Sequence, residues 1–243
     1  MDERTQEAPQ SFSSIRRWLR AVFSHFGFVV FMGIMLVLAA APAAVFLYGF
    51  MRSGSLILLG GAVLTFGLIG IVWSAVNRTA WDLQFSFPMY LFKTFFQYIK
   101  NNALQGYVLG EVFGILWLLA LSPLLLAQIA PASLSLSSWG LAASICLIVV
   151  LTMVTSFAFY QVGRWQLSVR QILMNSLIFL FGTGLPGIAT AVLWVAFLVA
   201  AVALTLYVLP LCLFLGLPVI LCITTQSFFV PKVDGLMAQA ASE

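Results

Sequence analysis

The sequence predicts an all-α fold: a polytopic helical membrane protein with about six transmembrane helices and cytoplasmic interfacial helices. Three observations predict it. Hydrophobic residues make up 63% of the 243-residue chain and charged residues only 7%, where a soluble domain carries about 25%. So little charge cannot cover a water-facing surface, and mean hydropathy is +1.10. Several uncharged apolar runs reach or exceed the roughly 20 residues that cross a bilayer, without the short alternating pattern of barrel strands. The basic residues sit between those runs, almost all on one side.

Residues 1–26 form a cytoplasmic tail. Residues 1–14 are polar, and Ser13 or Ser14 caps a short amphipathic helix with Ile15, Trp18, Leu19 and Val22 on one side and Arg16, Arg17 and Arg20 on the other. Such helices lie at headgroup level. The polar start, and a first apolar run without a small-x-small cleavage site followed by a soluble domain, argue against a cleaved signal.

A single membrane domain occupies 27–230. Its first span, about 27–50, carries Pro42, which removes a backbone donor and predicts a kink. The second, about 55–76, carries Gly60, Gly61, Gly67 and Gly70, small residues that let helices approach closely in lipid. The 77–103 link then brings Arg78, Trp81 and Asp82. Ser86 and Pro88 start an interfacial helix of about 88–102. Lys93, Gln97 and Lys100 recur on one face of it, and Leu91, Phe92, Phe95 and Ile99 on the other. The third span, about 104–128, repeats Gly106, Gly110 and Gly114 every four residues, a packing stripe.

An uncharged turn, 129–138, leads to the fourth span, about 139–160. The link QVGRWQLSVRQ carries Arg164 and Arg170. The run after it is too short to span, so 167–182 reads as an interfacial or partly re-entrant helix, broken at Gly182–Gly187. Spans at about 188–208 and 211–230, turning near Leu209–Pro210, complete the domain. Residues 231–243 form a polar cytoplasmic tail.

Of the eleven Lys and Arg, Arg4, Arg16, Arg17, Arg20, Arg78, Lys93, Lys100, Arg164, Arg170 and Lys232 fall on one side of this arrangement, and Arg52 alone on the other. The positive-inside rule then places both termini in the cytoplasm. A five-span version would put Lys232 outside. A weak echo links Arg78–Trp81–Leu83 and Arg164–Trp165–Leu167, each preceding an asparagine that opens an apolar run; it is either a degenerate repeat or two solutions to one interface problem.

Several function classes are excluded. The net charge of +4 lies between apolar runs rather than on one polar face, so no nucleic-acid binding is expected. Cys146, Cys212 and Cys222 lack CxxC spacing and a histidine neighbour, and read as small buried hydrophobes rather than metal ligands or disulfides. No phosphate loop, HExxH, nucleophile elbow or Rossmann glycine pattern occurs. The chain is therefore expected to have no catalytic, cofactor-binding or metal-binding residues and not to be an enzyme. The sequon Asn77-Arg78-Thr79 falls on the cytoplasmic side, and nothing pairs with the lone His25.

Glu111 is the sharpest candidate. It lies about seven residues into its span, roughly 10 Å from the cytoplasmic end. A carboxylate there is costly and faces protein or water. It reads either as a proton, cation or substrate-path residue, or as a structural partner for Arg164, Arg78 or a hydroxyl such as Thr155. Asp82 reads as a local ion pair beside Arg78 and Trp81. Arg78, Asp82, Lys93, Lys100, Arg164 and Arg170 together form a candidate face for cytoplasmic docking or lipid headgroups, each lysine worth about 1 kcal/mol near an anionic surface. Thr224, Thr225, Gln226 and Ser227 suit hydrogen bonding between helices.

Two segments carry a family resemblance. FKTFFQYIKNNALQG and YQVGRWQLSVRQILMNSLIFLFG resemble the two distinctive segments of the YesL-like family of bacterial multi-spanning membrane proteins, a domain of unknown function. The resemblance implies a multi-pass protein of the bacterial cytoplasmic (inner) membrane. It also implies a role beside carbohydrate uptake, since many members are found near such systems. The expectation is a non-enzymatic accessory or regulator of carbohydrate transport. Its partners would be the lipid bilayer and either a transporter or a second copy of the chain. The alternatives are a transporter or channel subunit with Glu111 on the translocation path, and a structural or lipid-organising protein.

Overall fold

The computed structural model describes residues 10–85, 90–129, 138–162, 164–165, 167–182, 184–203 and 216–242. The predicted features at Arg4, Ser86, Pro88, Leu209, Pro210 and Cys212, and nearly all of the 129–138 turn, lie outside the described residues. The elements are α1 (Gln10–Phe23), α2 (Phe26–Ser53), α3 (Leu56–Phe85), α4 (Leu91–Asn101), α5 (Ala103–Ile129), α6 (Ser138–Gln161), α7 (Val169–Gly182), α8 (Leu185–Ala203) and α9 (Leu217–Ser242). No strand occurs among the described residues.

Five helical segments are long and apolar enough to cross a membrane: Phe26–Ser53, Leu56–Phe85, Ala103–Pro123, Ala142–Gln161 and Leu217–Leu236. A sixth crossing exists if Val169–Gly182 and Leu185–Phe197 count as one broken span, since the two are bent by 104°. That bend falls where the sequence predicts a break, and Gly184 there has φ +58, a left-handed conformation open to glycine. The chain is an all-α, multi-pass membrane protein.

Helices α2 and α3 form a hairpin. Gly54 closes α2 with φ 67, and its N–H donates to the Phe50 carbonyl at 2.7 Å, an αL cap. α2 continues through Pro42 as one helix. α3 outruns its predicted end at residue 76 and reaches Phe85. No glycine or proline interrupts Asn77–Phe85, and Arg78 and Asp82 pair one turn apart, which supports a helix. α1 likewise begins at Gln10, ahead of Ser13 and Ser14, with Val22 buried and Leu19 exposed.

α3 packs between α2 and α5, and α5 packs on α6. The α3–α5 seam is the predicted glycine stripe. A methyl group on Gly110 would stand 2.6 Å from the Phe66 carbonyl oxygen and 2.9 Å from Gly70 Cα; one on Gly106 would stand 2.9 Å from Ile71 Cα. Gly114 accommodates the Phe66 ring, and Gly67 the Tyr107 ring.

α9 departs from its predicted form in two ways. The expected polar tail after residue 231 is helical, running through Pro231 to Ser242. Its start also lies beside the first turn of α2, because a methyl on Gly216 would stand 2.7 Å from the Val29 carbonyl oxygen. From there α9 meets Trp18, Asn77, Gln84 and Arg164 in turn. All four lie at one end of the bundle, opposite Arg52, whose guanidinium lies over Tyr48 beside the α2–α3 turn.

Candidate functional site

The charged end of the bundle is organised around Trp81. One guanidinium, Arg78, lies 4.8 Å from its ring centroid, and a second, Arg164, lies 4.8 Å from it as well. Arg78 also lies 5.6 Å from the Tyr98 ring, and Arg164 lies 5.1 Å from Tyr160 and 5.0 Å from Trp165. Each arginine thus covers the tryptophan that follows it in the sequence echo. A guanidinium over an aromatic face is attracted by the ring quadrupole, most strongly when desolvated.

Each arginine also has a carboxylate. Arg78 Nε stands 3.6 Å from Asp82 Oδ1, and the Asp82 side chain is 3% exposed. The Tyr98 hydroxyl donates to Asp82 Oδ2 at 2.6 Å, which fastens the surface helix α4 to α3. Burial, and then the hydrogen bond to Asp82, push the Tyr98 phenol above its usual range. Arg164 Nη2 stands 3.0 Å from Asp234 Oδ1, tying the α6–α7 link to α9. α1 joins through Arg17 over Phe85 at 5.2 Å and through Trp18 Nε1–H, which donates to Thr224 Oγ1 at 2.8 Å.

A buried polar seam joins α3 to α9. Gln226 Nε2 donates to the Asn77 carbonyl at 3.0 Å, Ser227 Oγ donates to Gln84 Oε1 at 2.8 Å, and the Cys222 thiol donates to Asn77 Oδ1 at 3.3 Å. The predicted role between helices is therefore observed for Thr224, Gln226 and Ser227, whereas Thr225 donates within α9, to the Cys222 carbonyl at 3.1 Å. Asn77 is buried between two helices, so the folded sequon presents no acceptor to a glycosylating enzyme.

Glu111 lies elsewhere. It is half-buried on the α3–α5 seam, accepts the Gly67 N–H at 3.3 Å and has Tyr107 as its other polar neighbour. The predicted partners are taken: Arg78 by Asp82 and Arg164 by Asp234. Thr155 Oγ1 is buried without a hydrogen-bond partner. It lines an apolar cavity of about 280 Å³ with Phe66, Trp73, Phe113, Trp117 and Phe159, in which Glu111 takes no part.

Lys93, Lys100 and Arg170 are exposed and form no ion pair among the described residues. On α4 the Phe95 side chain is buried, while Phe92 is half exposed with its ring against Phe28 and Phe31. Cys222 is buried, but Cys146 is exposed, contrary to the sequence expectation. It stands among exposed Ile145, Leu147 and Val150, where lipid replaces protein as the apolar surroundings. No three His, Cys, Asp or Glu residues converge on a metal-sized site among the described residues.

Asp234, Tyr98, Gln84 and the double role of Trp81 escaped the sequence reading. One signal was available for Asp234: Asp and Glu together number seven, so each arginine beside an apolar run has few candidates. Compared with known proteins, the chain matches no family model, no curated protein and no solved structure.

Proposed function

We propose that the chain is a non-enzymatic accessory or regulatory subunit of a membrane transport system, with its charged end as the docking face. What supports this reading is the way that end is built. Two arginines clasping Trp81, each held by a carboxylate, fasten α4 and the α6–α7 link to the bundle. They leave Lys93, Lys100, Arg170 and part of Phe96 exposed. A preorganised face loses little conformational freedom when a partner binds. The resemblance to the YesL-like family supports carbohydrate uptake in a bacterial inner membrane as the setting, and the excess of Lys and Arg at this end supports a cytoplasmic orientation for it.

The test is affinity capture from native membranes with wild type and the Lys93→Glu/Lys100→Glu variant. The expected result is a transporter subunit at near-stoichiometric level with wild type and a reduced amount with the variant. Capture of none by wild type, or equal capture by both, rejects the reading.

One observation favours a second reading. Glu111 is a half-buried carboxylate inside a spanning helix with no basic partner among the described residues, and such residues line transport paths. On that reading the chain carries substrate itself, and Glu111→Gln abolishes sugar or ion flux into liposomes without loss of folded protein.

A further inference from the structure

We propose that the cleft between the α4–α5 junction and the start of α7 binds a phosphate-bearing anionic lipid. The cleft borders the docking face and shares Lys100 and Arg170 with it, but its occupant is a lipid and its test involves no transporter. The cleft has a volume of about 970 Å³ and is walled by Tyr98, Asn101, Asn102 and Gln105 on one side and Arg164 and Ser168 on the other; no carboxylate stands among the described lining residues, and Asp234 lies behind Arg164.

Three features give it affinity for an anion. Two helices begin in its wall, α5 at Ala103 and α7 at Val169. The first turn of a helix carries the positive end of the dipole and leaves N–H groups free where no cap takes them; in α7 the Gln171 N–H is already taken by the Ser168 hydroxyl. Arg164 lines the wall with its Nη2 on Asp234 at 3.0 Å, so its charge is shared with that carboxylate and the surplus positive charge comes from the rim. Asn101 and Asn102 offer amide donors that make no side-chain hydrogen bond among the described residues. Exposed Lys100 and Arg170 each adjoin a lining residue in sequence.

The walls are held in place. Gln105 Nε2 donates to the Leu167 carbonyl, which ties α5 to the link before α7. The Ser168 hydroxyl accepts the Gln171 N–H while Gln171 Oε1 accepts the Ser168 N–H, a reciprocal cap that fixes the start of α7.

A lipid, rather than a soluble phosphate, follows from the remaining wall. Leu104 is 78% exposed, and Val108 one turn deeper also lines the cleft. They make an apolar lane along a spanning helix, leading from the polar head into the hydrocarbon. A soluble phosphate compound would leave that lane empty.

The test uses the full chain reconstituted into phosphatidylcholine vesicles containing a minor fraction of phosphatidylglycerol, extracted gently, with retained lipids counted by native mass spectrometry. Phosphatidylglycerol should be enriched over phosphatidylcholine by about tenfold, the scale of one or two charge-assisted contacts. Asn101→Asp/Asn102→Asp keeps the shape of the wall and adds like charge, so enrichment should fall to near parity while thermal stability is kept. Lys100→Glu, at the exposed rim, should lower it by a smaller factor and serves if the double variant fails to fold. Equal retention of both lipids by wild type overturns the proposal, as does undiminished enrichment in the folded variants. Displacement of the lipid by glycerol 1-phosphate at equal concentration would assign the cleft to a soluble phosphate and likewise overturn it.

Discussion

Helix α3 is held in two ways along its length. Around Gly67 and Gly70 it meets α5 backbone to backbone, with no room for a methyl group. Around Asn77–Gln84 it meets α1, α4, α9 and the α6–α7 link through rings, guanidiniums, carboxylates and amides. The difference follows the solvent. In hydrocarbon, apolar side chains gain nothing by leaving lipid for protein, so close van der Waals approach is the main remaining attraction. Near the headgroups, polar groups have water to compete with, and they attract strongly only where aromatic rings keep that water out.

The comparison predicts different responses to substitution. The largest belongs to the glycine seam. Gly110→Leu drives a side chain into the α3 backbone, and the cost should exceed the roughly 3 kcal/mol at the upper end of ordinary overpacking. Folded, monodisperse protein should be lost on size-exclusion chromatography. Gly60→Leu, which meets nothing within 4 Å, should behave as wild type; equal damage at both sites would dissolve the contrast.

Next comes Asp82→Ala. It strips Arg78 and the Tyr98 hydroxyl of a shared acceptor, and a broken buried pair costs on the order of 3 kcal/mol. Thermal unfolding should report the loss, and proteolysis should reach α4 first, because the Tyr98 contact is one of its anchors. Unchanged protection of α4 would show that the aromatic contacts alone hold it.

Tyr98→Phe should be milder, about 1–2 kcal/mol, for one hydrogen bond to a charged acceptor. It also carries a pH signature. The folded phenol titrates above its unfolded value of about 10, so its contribution is complete below that value and declines as pH rises through the folded pKa. The variant should lose this alkaline decline, visible in melting temperatures measured across that range. The smallest effect is expected from Asp234→Asn. That side chain is 44% exposed, and half-exposed ion pairs contribute about 1 kcal/mol or less. A drop as large as that of Asp82→Ala would place Asp234 in the same desolvated class.

Much of the bilayer-embedded architecture was readable in the chain. Long apolar runs leave a helix no alternative in lipid, so α2, α5 and α6 appear within a few residues of their expected bounds. The four-residue spacing of Gly106, Gly110 and Gly114 put them on one face, and the four-residue step from Arg78 to Asp82 announced that pair. The rest depends on chain segments far apart. Nothing local couples Tyr98 to Asp82 or Asp234 to Arg164, and the cleft joins the α4–α5 junction to the start of α7 across the whole of α5 and α6. The overrun of α3 past residue 76 and of α9 past residue 230 has a different cause. Polar residues stop an apolar run, but they do not stop a helix.

The seam between α3 and α9 also sets an order of events in time. Asn77 and Gln226 are 149 residues apart in the chain. At the usual pace of synthesis, about 5–20 residues per second, Asn77 waits roughly 7–30 s for its partner. Through that interval the nascent hairpin of α2 and α3 carries an exposed amide and an unfilled flank. Release of the chain before residue 226 would leave both in that condition, so the last helix acts as the latch that ends the vulnerable stage of biogenesis.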